Sequence, residues 1–169
     1  MKSRLQIVQI VLWTGFLVLA CQFLRTSAFA SGGAVSPQEL IPLGQAQKTG
    51  VWEGNDVTVD YRLTMGQNEL DLSGVARLND NIAMNFNFLR DFRLTAVFTD
   101  SSGRIIGRQS LATNRGAISP MGTGESTRFS ARLIPPPGAV NIAFGYEGTA
   151  VDAGGRGGGN PTRFWQNVG

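Results

Sequence analysis

Twelve carboxylates and no histidine bound the chemistry open to this 169-residue chain. Without His there is no ordinary general base near neutral pH, no Ser-His-Asp triad and no imidazole ligand for a metal. A single Cys, Cys21, excludes an internal disulfide and a Cys-rich zinc site. The carboxylates that pair by spacing are Asp56 with Asp60 and Glu69 with Asp71. A retaining glycosidase needs two carboxyl groups about 5–5.5 Å apart in a cleft. Residues two apart on one face of a strand stand about 6.6–6.8 Å apart at the backbone. Distance therefore does not exclude a pair two residues apart, such as Glu69 with Asp71, but both pairs fall on outward faces, where charged side chains are solvated. No catalytic residue is assigned. Asn79-Asp80-Asn81 and Asp100-Ser101-Ser102 offer oxygens, yet neither has the spacing of a calcium loop. Both read as turns, and no metal is expected. The glycine run Gly154 to Gly159 lacks the lysine of a phosphate-binding loop and misses G-x-G-x-x-G, so no cofactor is expected.

The chemistry left is surface recognition. Trp52, Phe164 and Trp165 are the candidate ligand contacts, because exposed aromatics on a sheet hold sugars. Tyr61 and Tyr146 fall in the apolar phase of their segments and read as core. The basic residues after position 30 are almost all Arg, with Lys48 the one lysine. Arg forks suit carboxylates, but these Arg are scattered rather than clustered, so nucleic acid is not expected as a partner.

The net charge of +3 has a local origin. Lys2, Arg4 and Arg25 precede position 30, and no acid does. After them the chain is balanced. The segment itself reads as an export signal: Met1-Lys2-Ser3-Arg4, an apolar run from Leu5 to Leu24, then Ala28-Phe29-Ala30 with small residues at the cleavage positions. Three outcomes use these residues. The signal is cut after Ala30; or Leu17-Val18-Leu19-Ala20-Cys21, which resembles a bacterial lipobox, is lipidated at Cys21; or the segment stays as a membrane-spanning helix, for which about twenty residues suffice. The expected location is the periplasm, the outer membrane or the exterior, with the membrane as a partner if the segment is lipidated or retained.

These residues need a scaffold, and the pattern after position 50 is that of strands. Val57, Val59, Tyr61, Leu63 and Met65 alternate with Asp56, Thr58, Asp60, Arg62 and Thr64. Alternation returns over 70–77, 82–88, 92–99, 104–111, 128–133 and 140–146, with turn residues between. The expected organisation is an export segment over 1–30, a linker over 31–50, a β-domain over 51–148 and a Gly-rich tail over 149–169. The fold expected is all-β: an antiparallel sandwich of about seven strands behind an apolar N-terminal export helix.

Leu94-Thr95-Ala96-Val97-Phe98-Thr99-Asp100-Ser101-Ser102-Gly103-Arg104-Ile105-Ile106-Gly107 resembles the FxLYD-type and related immunoglobulin-like modules of exported bacterial proteins. Phe98 and Asp100 stand in the aromatic and acidic places, while Thr99 departs from the usual Tyr. Leu72-Ser73-Gly74-Val75-Ala76 and Phe129-Ser130-Ala131 fit the same layout. The resemblance implies an extracytoplasmic, non-catalytic module and carries over no functional residue. The expectation is a non-enzymatic envelope protein that binds or supports, with a glycan or another envelope protein as partner. The alternatives are a carbohydrate-binding module and a subunit joined to others by strand addition.

Overall fold

The computed structural model describes residues 34–118, 126–152 and 160–166. Cys21, Ala28, Ala30, the rest of the export segment and the glycine run 154–159 lie outside the described residues. Among the described residues nine strands run in order: β1 (Ile41–Pro42), β2 (Gln47–Glu53), β3 (Val57–Met65), β4 (Leu70–Leu78), β5 (Phe88–Thr99), β6 (Ile105–Ala117), β7 (Thr127–Leu133), β8 (Asn141–Val151) and β9 (Thr162–Gln166). One short helix, α1 (Asp80–Ala83), sits between β4 and β5. All pairings are antiparallel.

Two sheets form. One has the order β2-β3-β4-β7; the other has β6-β5-β8, with β1 and β9 placed end to end along the far edge of β8. The protein is therefore an all-β sandwich. Its core is what the alternation dictates. Val57, Val59, Leu63, Leu70 and Leu72 from one sheet face Leu94, Phe98, Ile142 and Phe144 from the other, all at 1% exposure or less. Phe144 is the centre of an aromatic group, with ring centroids 5.7 Å from Trp52, 5.7 Å from Tyr61 and 6.1 Å from Phe129. Each such side chain removed from water contributes about 1.5–3 kcal/mol.

Three expectations need correction. The alternation at Ile82, Met84, Phe86 and Phe88 does not make a strand. The amides of Ile82 and Ala83 bond to the Asn79 carbonyl, and Phe86 bonds to Ile82, so one helical turn forms. Ile82 and Ala83 are buried while Met84 is 72% exposed. Apolar residues at 82 and 86 satisfy a period of four as well as two, and the helical phase closes the end of the sandwich. Residues 34–50, expected as a linker, supply β1, most of β2 and a buried Val35. Pro42 sits on an edge strand, where its missing N–H costs nothing. The tail expected from 149 holds the end of β8 and all of β9.

The outer face of the β6-β5-β8 sheet is divided. At one end Val35 and Leu40 lie over Val97, Ile105 and Ala143, a small apolar cluster of its own. The Val35 amide is held by the Gly103 carbonyl at 3.1 Å. Gly103 has φ of 79°, a left-handed conformation that a glycine adopts without strain. The other end of that face is not covered by any of the described residues, and β9 forms its margin.

Candidate functional site

The three aromatic candidates separate. Trp52 points inward from β2, is 4% exposed, and meets Phe144 and Tyr146 edge-on. Its Nε1 has no hydrogen-bond partner among the described residues. Phe164 is also 4% exposed. These two are core residues, and their assignment as ligand contacts is corrected. Trp165 is 60% exposed.

Adjacent residues on a strand face opposite ways, so Phe164 and Trp165 could not both be buried by one sheet. Gly148 decides which of them goes in. It lies in register between Phe92 on β5 and Phe164 on β9. A Cβ there would fall 2.8 Å from Cε1 and 2.9 Å from Cε2 of Phe164, and closer still to Cζ. The bare backbone lets the Phe164 ring lie across it and stack on Phe92, with centroids 6.4 Å apart and planes 19° apart. Gln166 secures the end of β9: its Nε2 donates to Glu39, and its Oε1 accepts the Asn55 amide at 3.3 Å. With Phe164 anchored inward, Trp165 stands outward.

On that outward face the register aligns Thr113, Arg93, Glu147 and Trp165 in one row across four strands. The next row has Asp91, Thr149 and Arg163. Together with Arg115 these residues line an open concavity of about 790 Å³. Arg93 Nη1 donates to Glu147 Oε1 at 2.7 Å. Arg115 Nε donates to the Arg90 carbonyl at 2.8 Å. The side chains of Arg163 and Asp91 have no hydrogen-bond or ion-pair partner among the described residues. The site is thus a flat aromatic plane beside a row of polar groups and one uncommitted guanidinium.

The carboxylate pairs do not form a cleft. Asp60 is ion-paired with Arg77, and Glu69 and Asp71 share Arg132 Nε at 3.3 and 3.1 Å. Asp56 turns to the end of the sandwich, where Tyr146 Oη accepts the Asp56 amide at 2.9 Å and donates to Asp56 Oδ2 at 3.0 Å. Burial, above all, pushes the Tyr146 phenol well above its usual range. Burial also raises the Tyr61 phenol.

The oxygen-rich turns are occupied by hydrogen bonds within the protein. Asn79 Oδ1 accepts from Thr58 Oγ1 at 2.7 Å, while its Nδ2 donates to the carbonyls of Gly54 and Asn55. Asn81 Nδ2 donates to Asp56 Oδ1 at 2.8 Å. Asp100 Oδ1 accepts from the Ser102 hydroxyl and from the amides of Ser102 and Arg104. The Ser102 hydroxyl bond, then those amides and the Arg104 guanidinium, hold the Asp100 carboxyl below its ordinary value. Among the described residues no three metal-ligating side chains gather.

Sequence reasoning missed Glu147, Thr149 and Arg163 as neighbours of Trp165. Clean alternation ends at Tyr146, and the Gly-rich stretch after it carries no strand signal. Compared with protein-family models, curated proteins and solved structures, the chain matches none of them.

Proposed function

We propose that this is an exported, non-catalytic β-sandwich of the immunoglobulin-like kind, acting as a cell-envelope binding module that presents its β6-β5-β8-β9 face to a glycan. The observation that carries the reading is Trp165, an indole 60% exposed on an ordered strand beside Arg, Glu and Thr side chains. A large apolar plane held in water at a fixed angle is suited to stack on the C–H face of a sugar ring, while flanking polar groups bond its hydroxyls.

The strand order supports the immunoglobulin-like part. Lettering β3 to β9 as A, B, C, C′, E, F and G gives a sheet A-B-E facing a sheet C′-C-F-G. Placing C′ beside C, C beside F, and F beside G is the arrangement of variable-type domains. Here β2 extends the first sheet beyond A. Export is supported by the positive start, the apolar run and Ala28-Phe29-Ala30. The intact mass of the protein from its own cell distinguishes a start at Ser31, a lipid on Cys21 and an uncut Met1.

The test of binding is a panel of polysaccharides against the protein and its Trp165→Ala variant, read by affinity electrophoresis and Trp emission. Retardation and a spectral shift that vanish in the variant are expected. No shift across a broad panel overturns the glycan reading.

A second reading is favoured by one observation. β6 runs for thirteen residues and, among the described residues, pairs only with β5, so one of its edges is open there to an added strand. Concentration-dependent assembly in gel filtration supports that reading; a monomer at high concentration opposes it.

A further inference from the structure

We infer that the glycan taken by the Trp165 face is acidic, a saccharide bearing carboxylates, and that Arg163 is the residue that selects it. This rests on the proposal that the face binds glycans at all.

Three guanidinium groups line the concavity, those of Arg93, Arg115 and Arg163, against the carboxylates of Asp91 and Glu147. They differ in what remains free. Arg93 is neutralised by Glu147 at 2.7 Å. Arg115 spends its Nε on the Arg90 carbonyl. Arg163 keeps its whole fork, with no partner among the described residues. A guanidinium fork matches a carboxylate in two parallel hydrogen bonds, a geometry that no neutral hydroxyl reproduces.

Position strengthens the assignment. Arg163 and Trp165 are two residues apart on the same face of β9, so their backbones stand about 6.6–6.8 Å apart. That is the spacing at which a sugar ring stacked on the indole, or its neighbour in the polymer, brings an exocyclic carboxylate to the guanidinium. Among the described residues the opposite sheet exposes no aromatic side chain, so its Arg62 and Arg128 have no indole beside them, and its Arg77 and Arg132 are ion-paired with Asp60, Glu69 and Asp71. Asp91 lies one strand from Arg163, across Thr149, and opposes an anion there.

The experiment uses the chain as processed by the exporting cell. The probes are polygalacturonate, the same polymer fully methyl-esterified, and polyglutamate, with affinity measured by titration calorimetry. Polygalacturonate is expected to bind at least about tenfold more tightly than its ester, equivalent to about 1.4 kcal/mol. This preference should shrink as salt is raised. Arg163→Ala brings the ratio close to one; Trp165→Ala weakens both polysaccharides alike. Asp91→Asn tightens the acid polymer about two- to fivefold without changing the ester, the range of an exposed charge interaction. All three positions are exposed, so circular dichroism is expected to show unaltered folds.

Equal affinity for polymer and ester overturns the acidic preference and leaves the glycan reading standing. No affinity for either polymer overturns the acidic preference; if the broad panel is also silent, the glycan reading falls with it. Polyglutamate bound as tightly as polygalacturonate, with Trp165→Ala indifferent, also overturns the inference, because the face is then a plain polyanion surface.

Discussion

Gly148→Ala tests how the exposed indole is held in place. The new Cβ falls 2.8 and 2.9 Å from two Phe164 ring carbons, and nearer to a third. Carbon atoms rest at about 3.5–4.0 Å, so the ring must retreat by about 1 Å. Phe92, stacked at 6.4 Å, and Tyr146, at 6.2 Å, stand around it. If the ring yields in place, overpacking costs about 1–3 kcal/mol. If β9 lifts instead, burial of Phe164 is lost, about 1.5–3 kcal/mol. Removing a strand glycine returns about 0.5–1 kcal/mol. The net loss is about 1–2 kcal/mol by either route, a melting temperature lower by about 2–8 °C in a domain of this size. Iodide quenching of Trp165 and amide exchange across 163–166 report which route is taken. Phe164→Leu in the same chain is expected to recover part of the loss, because it removes the ring edge that collides. A Gly148→Ala protein with unchanged melting and unchanged exchange at β9 would refute the claim that this glycine seats Phe164 and thereby orients Trp165.

Tyr146→Phe removes the hydroxyl that both accepts from and donates to Asp56, and is expected to cost about 1–3 kcal/mol in urea unfolding. The Tyr146 and Tyr61 phenols are raised in the folded state. Their contribution is therefore complete below about pH 10, the unfolded value, and is lost as pH rises toward the folded one. Alkaline melts of Tyr146→Phe should fall less steeply than those of the parent. The lowered Asp100 works in the other direction: its contribution is present above about pH 3.9, the unfolded value, and is lost as pH falls through the folded one. Asp100→Ala should flatten acid unfolding curves in that window. Gly74→Ala places a Cβ against the Asp60 carbonyl oxygen and 2.8 Å from the Phe129 ring. Because one obstacle is backbone, the loss is expected to reach about 3 kcal/mol or more, seen as a failure to recover folded protein.

Much of the scaffold was legible because its signal is local. Successive strand side chains must point to opposite faces, so β3, β4, β5 and β7 can be read with their inner residues from the alternation alone. The Asp100 to Gly103 turn was legible for the same reason, since an Asx carboxylate bonds the amides just after it. The Ile82 to Phe88 stretch was not. Its apolar spacing suits a strand and a helical turn equally, and only the need to plug the end of the sandwich with Ile82 separates them. Nor could short edge strands announce themselves. β1 has two residues and exists because β8 offers it an edge.

The sequence alone determined which residues alternate, which chemistry is unavailable without His, and that the positive charges at positions 2, 4 and 25 precede the alternating segments in the chain. It offered Phe164 and Trp165 together as contacts and did not say which of them would face inward. Only the tertiary structure decided which. A five-residue strand beyond a glycine run carries no phase of its own, so its facing is set by what it docks against. Here that is the bare backbone of Gly148 between Phe92 and Phe164, a vacancy more than ten residues away in sequence that admits the phenyl ring and leaves the indole in water.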